Sequence, residues 1–444
     1  MTSDPHYDVA IVGGGFAGLS AATALAEQRL RVIVLEARPR LGGRASSFTD
    51  PATGERVDNG QHLLIGGYHE TFKLLRRIGA STAVTLQPRL TVEFVDRDGS
   101  RSQLRSRPLP APLHLLAGIM TWSALDWCDR LSALRMGPAV RGHSGPHASI
   151  QGATVREWLK QHGQSPRLVE LLWEPLAVAT LNESIDVAAA APFINVLARM
   201  FGSRTTDSAL GLPTRPLDEM YAEPARRYLE RRACAVDVNA PVRIDATGQP
   251  IVSVRGETLS CRAIVCAVPW YALPDTIHPP GPLAATLDAA RQTPASPIVT
   301  VNVWLDRPVM ATSFLGLPGR AMQWVFDKRA MFGEDASHLS MIASAAGELA
   351  DRSNSDIIEL AMTELREALP AARGAEVRRA IAVREKTATF SVAPGLPARP
   401  ATRTAVPGLF LAGDWIDTSL PATIESAVVS GHAAAVAAAE YLAR

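Results

Sequence analysis

The feature that most constrains the fold lies within the first thirty-six residues. A short apolar run rich in β-branched residues, residues 9–12, leads into Gly13, Gly15 and Gly18 and then into an alanine-rich segment with the composition of a packed helix. A second apolar run follows and ends at Glu36. Strand, glycine turn, helix, strand and acid in this order are typical of a βαβ unit that binds a dinucleotide.

Each glycine of this motif has a physical reason. Gly13 permits the tight turn from strand to helix, Gly15 lets the backbone approach a pyrophosphate, and Gly18 lets the helix pack closely on the strand. The first helical residues, Phe16 and Ala17, offer free N–H groups and the positive end of the helix dipole to the phosphates. We therefore predict a dinucleotide site here rather than a purely structural glycine turn.

The residues after the second strand indicate which dinucleotide binds. Glu36 is placed to accept hydrogen bonds from an adenosine ribose. A second glycine pair and an arginine follow it, and this extension resembles the FAD-binding signature of the amine oxidase and phytoene desaturase flavoprotein superfamily. The resemblance implies FAD rather than NAD. The cofactor contacts that it implies in this segment are Glu36, Ala37, Arg38, Gly42, Gly43 and Arg44.

The C-terminal region resembles the second FAD signature of the same superfamily. A buried strand ends on a glycine–acid pair, and a helix follows whose N-terminus, in that superfamily, points at the flavin ring. The dipole of such a helix would stabilise an anionic reduced flavin. Since residues 413–424 contain no cysteine or histidine, we expect the FAD to be noncovalent. The implied contacts are Gly413, Asp414, Pro421, Ala422, Thr423 and Ile424, with Val242 beside the adenine.

Candidate catalytic residues are few. His62 and Asp58 form either an acid–base pair or part of a polar loop, with Gly60 and Gln61, that lies against the cofactor, as the superfamily resemblance favours. Glu174 stands among apolar neighbours as either a structural acid at a helix end or an acid of the site. The sequence leaves the catalytic residues open.

Three further stretches, residues 57–66, 173–182 and 384–390, resemble the squalene-associated FAD-dependent desaturases, the hydroxysqualene dehydroxylase family. This resemblance implies reductive removal of a hydroxyl group from hydroxysqualene, a long apolar polyprenoid, to give squalene for squalene and hopanoid biosynthesis. A carotenoid-type desaturase and an amine oxidase, with Trp415 as one aromatic residue beside the amine, are the alternatives within the fold. A lipid-binding chaperone without redox activity is the non-enzyme alternative, and the intact Arg44 argues against it.

The chain has 444 residues, too many for one ordinary core. We predict an α/β fold: a Rossmann-like FAD-binding domain with an interleaved α+β substrate domain that contains a mixed sheet and a helical part. The expected FAD-binding segments are 1–80, 212–285 and 395–444. The expected substrate segments are 81–211 and 286–394, because alternating strands begin after residue 80.

Charge and cysteine content limit the partners. The net charge of +1 gives no support for nucleic-acid binding, which would need a basic face. The four cysteines lack metal-ligand spacing, so we expect no metal and reduced thiols. Without a signal-peptide pattern or a long apolar run, the sequence predicts a cytoplasmic enzyme. Peripheral contact with the inner face of the cell membrane is the open alternative. The apolar segment 109–136, with Trp122 and Trp127, either provides that contact or closes the substrate-domain core.

Overall fold

The computed structural model describes residues 6–137 and 152–444. The polar stretch 141–147, which the sequence predicts as a glycine-rich loop, lies outside the described residues. The strands, in chain order, are β1 Tyr7–Val12, β2 Val32–Leu35, β3 Ser47–Thr49, β4 Arg56–Asp58, β5 Leu64–Ile65, β6 Val84–Leu86, β7 Thr91–Val95, β8 Arg101–Arg105, β9 Leu210–Pro213, β10 Ala235–Asp237, β11 Val242–Asp245, β12 Ile251–Val254, β13 Glu257–Leu259, β14 Cys261–Cys266, β15 Ala295–Leu305, β16 Phe314–Gly316, β17 Trp324–Asp327, β18 Ser337–Ala343, β19 Val377–Phe390 and β20 Leu409–Leu411.

The helices are mostly short, and two of them continue from a π-helical turn, Val169–Trp173 and Asp218–Ala222. In chain order they are α1 Phe16–Glu27, α2 His69–Arg77, α3 Leu113–Met120, α4 Trp127–Ala133, α5 Val155–Gln161, α6 Pro166–Leu168, α7 Glu174–Leu181, α8 Ala190–Met200, α9 Glu223–Glu230, α10 Leu273–Thr276, α11 Ala284–Gln292, α12 Lys328–Phe332, α13 Gly347–Ala350, α14 Asn354–Ala368 and α15 Ile424–Leu442.

The first sheet is parallel and has the strand order β10-β2-β1-β14-β20. Its central strand β1 and its neighbour β2 are almost entirely buried, as the continuous apolar runs predict for strands covered on both faces. Helices α1 and α15 pack against each other so closely that a Cβ on Gly431 would come within 2.1 Å of the Ala17 carbonyl oxygen. The βαβ unit predicted from the glycine motif is present.

The second sheet is mixed, with the order β19-β15-β18-β17-β16-β7-β8. Only the β16–β7 pair is parallel, and the other neighbours are antiparallel. Valines of β15 share an apolar core with the inner face of α14. All its strands come from the segments predicted for the substrate domain, and all strands of the parallel sheet come from the other segments. The predicted fold class is confirmed, while the exact domain boundaries stay a prediction.

The apolar segment 109–136 contains the two helices α3 and α4. Trp122 is 1% exposed and contacts Phe94 of the mixed sheet with ring centroids 5.3 Å apart, whereas Trp127 is 65% exposed. Trp122 therefore follows the second alternative for this segment and closes the substrate-domain core, whereas Trp127 does not. Among the described residues, no helix is long and apolar enough to cross a membrane.

The contact between α1 and α15 generates a stability prediction. Gly431→Ala should lower the free energy of unfolding by about 1–3 kcal/mol, because the added methyl group forces the two helices apart. This loss should exceed the gain of up to about 1 kcal/mol that alanine brings inside a helix. Gly374→Ala is the control, since nothing lies within 4 Å of a Cβ at Gly374. Urea unfolding should show a loss only for Gly431→Ala, and equal stability of both variants would contradict the packing account.

Candidate functional site

A cavity of about 570 Å³ lies between the two sheets. Its wall includes Val12, Leu35 and Gly413 at the carboxyl ends of parallel strands, and Ile298 and Ile342 from the mixed sheet. Ligands of open α/β sheets bind at this strand edge. All the predicted cofactor residues line the cavity except Gly18 and Pro421. Gly18 instead serves packing, because its Cβ would come within 1.9 Å of the Gly13 carbonyl oxygen.

The glycine turn leaves room for an anionic group at the N-terminus of α1. Gly13 has φ +109°, and a Cβ there would come within 2.8 Å of the Ala267 carbonyl oxygen. A Cβ on Gly15 would meet only the Gly43 Cα, at 3.7 Å, so Gly15 faces open space. No side chain caps α1, and its first turn contains no acidic residue. The free N–H groups and the helix dipole at this cradle therefore fit the pyrophosphate of a dinucleotide.

Glu36 holds the glycine turn in place through hydrogen bonds, and it also borders the cavity. Its Oε2 accepts the Gly14 amide at 2.7 Å, and its Oε1 accepts the Arg38 amide at 2.9 Å. The side chain is buried and lines the cavity wall. Each carboxylate oxygen keeps a second lone pair, so the acid can hold both backbone segments and still accept a ribose hydroxyl.

Arg44 and Asp414 join the two FAD motifs of the sequence by a direct ion pair. The Arg44 guanidinium also donates to the Ala388 carbonyl oxygen at 2.9 Å and lies over the Trp270 ring at 5.3 Å. Burial alone would lower the pKa of Arg44, but the Asp414 carboxylate outweighs it and holds that pKa above its ordinary value. The cation is therefore permanent and fixes this part of the cavity wall.

The N-terminus of α15 also borders the cavity. Thr423 caps the helix, as the sequence predicts, by accepting the Ser426 amide at 3.1 Å. Glu425, which is fully buried, accepts the Thr71 amide at 2.9 Å and the Thr71 hydroxyl at 2.7 Å, and pairs with Arg199. These bonds fasten α15 to α2 and so hold the helix end in place.

His62 lines the cavity, but it does not form a hydrogen-bonded pair with Asp58. The Nδ1 atom of His62 lies 3.0 Å from the Gly60 carbonyl oxygen, which can only accept, so Nδ1 carries the hydrogen. Burial lowers the pKa of His62 although the Asp58 charge opposes this. His62 is therefore a neutral imidazole near pH 7, and its Nε2 is a hydrogen-bond acceptor.

Asp58 is instead held away from the cavity by Lys328, a residue that the sequence analysis missed. Lys328 is fully buried, and its Nζ lies 2.8 Å from Asp58 Oδ2. Burial would raise the pKa of Asp58, but the charge and hydrogen bond of Lys328 together with the hydrogen bonds from Leu217 and Ser47 lower it. The remaining oxygen of Asp58 accepts the Ser47 hydroxyl and the Leu217 amide. Asp58 is thus fully engaged, and its role is to hold Lys328.

Lys328 connects this ion pair to the cavity through Gln61. The ammonium group donates to Gln61 Oε1, which fixes the orientation of the amide. Gln61 lines the cavity, and its Nε2 is a buried donor without a partner. One sequence signal could have indicated Lys328. It is a lysine directly after strand β17, in a chain that contains far more arginine than lysine.

Two other candidates lie outside the cavity wall. Glu174 is the first residue of α7, and burial raises its pKa although Arg156 opposes this. Trp415 is 3% exposed and does not line the cavity, so it cannot bracket an amine there. Both residues belong to the surrounding structure.

The three stretches that resemble hydroxysqualene dehydroxylases meet at this wall. Asn182 donates to the Thr389 hydroxyl at 3.0 Å, and Asn59 donates to Glu385 at 3.3 Å, so hydrogen bonds join the stretches. Segments far apart in the chain therefore form one surface. The cavity residues from these stretches are Asn59, Gly60, Gln61, His62, Leu63, Ala179, Thr180, Asn182, Glu385, Ala388 and Thr389.

Substitutions at Gly15, in the glycine turn, and at Glu36 test whether this site retains the cofactor. Gly15→Val should abolish it, because the side chain would fill the space next to Gly43. Glu36→Ala should weaken it by about 1.5–3 kcal/mol through the lost hydrogen bonds of a charged acceptor. Glu27→Ala, at an exposed glutamate of the same unit, is the control. Flavin absorbance after gel filtration measures retention, and wild-type retention by both site variants would contradict this site.

The fold is shared with a solved oxidase structure. A solved structure of cyclohexylamine oxidase from Brevibacterium oxydans superposes with a TM-score of 0.72 at 19% identity, covering 99% of this chain and 100% of the other. This similarity establishes the architecture around the cavity.

Sequence comparison gives two kinds of relative over nearly the full chain. A hydroxysqualene dehydroxylase of Sinorhizobium fredii is 29% identical over 446 residues, 96% of this chain and 97% of its own. A probable zeta-carotene desaturase of Synechococcus elongatus is 26% identical over 481 residues, 97% of this chain and 98% of its own. The family model described as flavin containing amine oxidoreductase matches residues 16–439. The chain therefore belongs to the flavin-containing amine oxidoreductase family, and it is an FAD-dependent oxidoreductase.

Proposed function

We propose that the protein removes the hydroxyl group of hydroxysqualene reductively and releases squalene. The observation that carries this proposal is the meeting of residues 57–66, 173–182 and 384–390 at the cavity wall. These are the stretches with the specific resemblance to hydroxysqualene dehydroxylases, whereas the FAD motifs are shared with many oxidases. The relative from S. fredii, with 29% identity over almost its full length, supports the same substrate class.

The reaction requires that a C–O bond breaks, that the hydroxyl takes up one proton and leaves as water, and that a hydride forms the new C–H bond. FAD, when bound and reduced, supplies the hydride. The chain's own residues bind, desolvate and orient the substrate. Leu63, Ile298 and Ile342 give the cavity apolar wall that an allylic hydrocarbon needs.

Two polar side chains of the wall suit the hydroxyl group. The neutral His62 offers Nε2 as an acceptor for the substrate O–H. Gln61 offers Nε2 as a donor to the departing oxygen, since Lys328 already occupies its carbonyl oxygen. A donor aimed at the leaving oxygen stabilises the charge that develops there. We assign Gln61 and His62 as the groups that orient the hydroxyl.

A carotenoid-type desaturase is the second candidate, because the relative from S. elongatus is equally close to this chain, with 26% identity over 97% of it. The two reactions change the oxidation state of FAD in opposite directions. A desaturase removes hydride from its substrate, whereas a dehydroxylase delivers hydride to it.

Product analysis should separate these candidates. Anaerobic incubation of the dithionite-reduced protein with hydroxysqualene should give squalene, identified by gas chromatography and mass spectrometry. Gly15→Val protein treated in the same way is the control for chemical reduction by dithionite. Desaturated carotene from the oxidised protein, together with no squalene from the reduced protein, would refute the proposal and favour the desaturase.

We also propose that the enzyme meets its water-insoluble substrate at a membrane surface through the α3–α4 face. This face consists of five exposed apolar side chains, out of eight large ones in the described part of the chain. The Arg130 guanidinium lies over the Trp127 ring at 5.1 Å, which suits the boundary of lipid headgroups. The side chains of the α3–α4 face are Leu109, Leu113, Trp127, Leu131 and Leu134.

Liposome sedimentation tests the α3–α4 face. The Trp127→Ser/Leu131→Ser double variant should lower the bound fraction several-fold, because each buried side chain contributes about 1.5–3 kcal/mol. The control is Ile251→Ser/Val436→Ser, which removes exposed apolar side chains elsewhere. If the wild type does not bind liposomes, or if both double variants bind alike, another protein must deliver the substrate.

A further inference from the structure

Three potential metal ligands meet away from the FAD cavity. Glu55 lies in the turn between β3 and β4, Glu334 lies between α12 and β18, and His338 belongs to β18. One ligand atom from each lies within 4.8 Å of the other two. Glu334 and His338 are four residues apart, but Glu55 lies far from them in the chain, so the sequence did not indicate the group and no metal was expected.

His338 has a defined tautomer and no exposed surface. Its Nε2 lies 3.0 Å from the Asn302 carbonyl oxygen Oδ1, so Nε2 carries the hydrogen and Nδ1 carries a lone pair. The imidazole stacks on Trp304, with ring centroids 4.2 Å apart, and this contact fixes the ring. A histidine that binds a metal through one ring nitrogen usually has its other ring nitrogen held by a hydrogen-bond partner.

The free nitrogen points at carboxylate oxygens. Nδ1 of His338 lies 3.3 Å from Glu334 Oε2 and 3.9 Å from Glu55 Oε2. Neither Nδ1 of His338 nor Oε2 of Glu334 has a hydrogen-bond partner, and both atoms are buried. Trp304 donates to the same Glu55 oxygen, Oε2, which keeps a second lone pair for a cation. Lone pairs that face one another in a buried space repel each other unless a cation lies between them.

We propose that Glu55, Glu334 and His338 bind a divalent zinc ion. Imidazole nitrogen and carboxylate oxygen are ligands that zinc accepts at about 2.0–2.2 Å in tetrahedral geometry. Ligand bonds of that length place neighbouring ligand atoms about 3.3 Å apart, which matches the observed distance from Nδ1 to Oε2. Three protein ligands leave a fourth position for water.

The ion would fasten the β3–β4 hairpin to the mixed sheet. The hairpin is already held there by the ion pair of Asp50 with Arg379 of β19, at 2.7 Å. Strand β4 ends at Asp58, and Gln61 and His62 follow it in the cavity wall. Zinc would thus stabilise the segment that leads into the cavity, without taking part in the chemistry.

Zinc binding is measured directly on tag-free full-length protein in a Cys128→Ser background, which removes the one exposed thiol. After dialysis against EDTA, titration with zinc chloride by calorimetry should show one equivalent bound and a rise in Tm. Glu334→Gln should weaken binding at least about tenfold, because it removes a ligand. This variant is preferred to a His338 substitution, which would disturb the core. Glu348→Gln, at an exposed glutamate of α13, is the matched control and should bind as the wild type does.

Two results would overturn the proposal. Absence of zinc binding by the EDTA-treated protein would show that the three side chains do not form a zinc site. Equal affinity of the Glu334→Gln and Glu348→Gln proteins would mean that zinc binds elsewhere on the surface. The readout does not involve FAD or hydroxysqualene, so failure here is independent of the proposed enzymatic function.

Discussion

The ion pair between Arg44 and Asp414 is the interaction on which the cavity depends. It joins a motif near the start of the chain to a motif near its end, and it does so where both motifs border the cofactor cavity. The pair is largely shielded from water, so removing one partner would leave the other charge without compensation. The FAD cavity can therefore form only when the last strand and α15 have docked on the βαβ unit.

A second buried ion pair organises the opposite wall. Lys328 and Asp58 neutralise each other out of contact with water, and Lys328 fixes the Gln61 amide that borders the cavity. A buried charge pair is weak evidence for stability, but here its hydrogen bonds hold Lys328 and the Gln61 amide in one arrangement. The apolar wall thus carries a small number of oriented polar groups, which is what the proposed substrate, a hydrocarbon with one hydroxyl group, would require.

The βαβ unit and Glu36 were predictable because strand periodicity, glycine geometry and the acid all lie within one local segment. The caps formed by Thr154 at α5 and Thr423 at α15 are also local, because each side chain binds an amide only three residues further along. The role of Lys328 and the burial of Trp122 were not predictable from the sequence, because each depends on contacts with residues distant in the chain. Helical periodicity gave no indication that Trp122 packs on Phe94 while Trp127 does not.

The central claim is that the substrate oxidises the reduced cofactor, and anaerobic spectroscopy tests it most directly. The dithionite-reduced protein, freed of excess reductant, is mixed with hydroxysqualene while the flavin absorption band is recorded. The account predicts that the band of oxidised flavin returns, with one flavin oxidised for each squalene formed. A spectrum that stays reduced with hydroxysqualene, in a protein whose oxidised flavin is bleached by zeta-carotene, would contradict it.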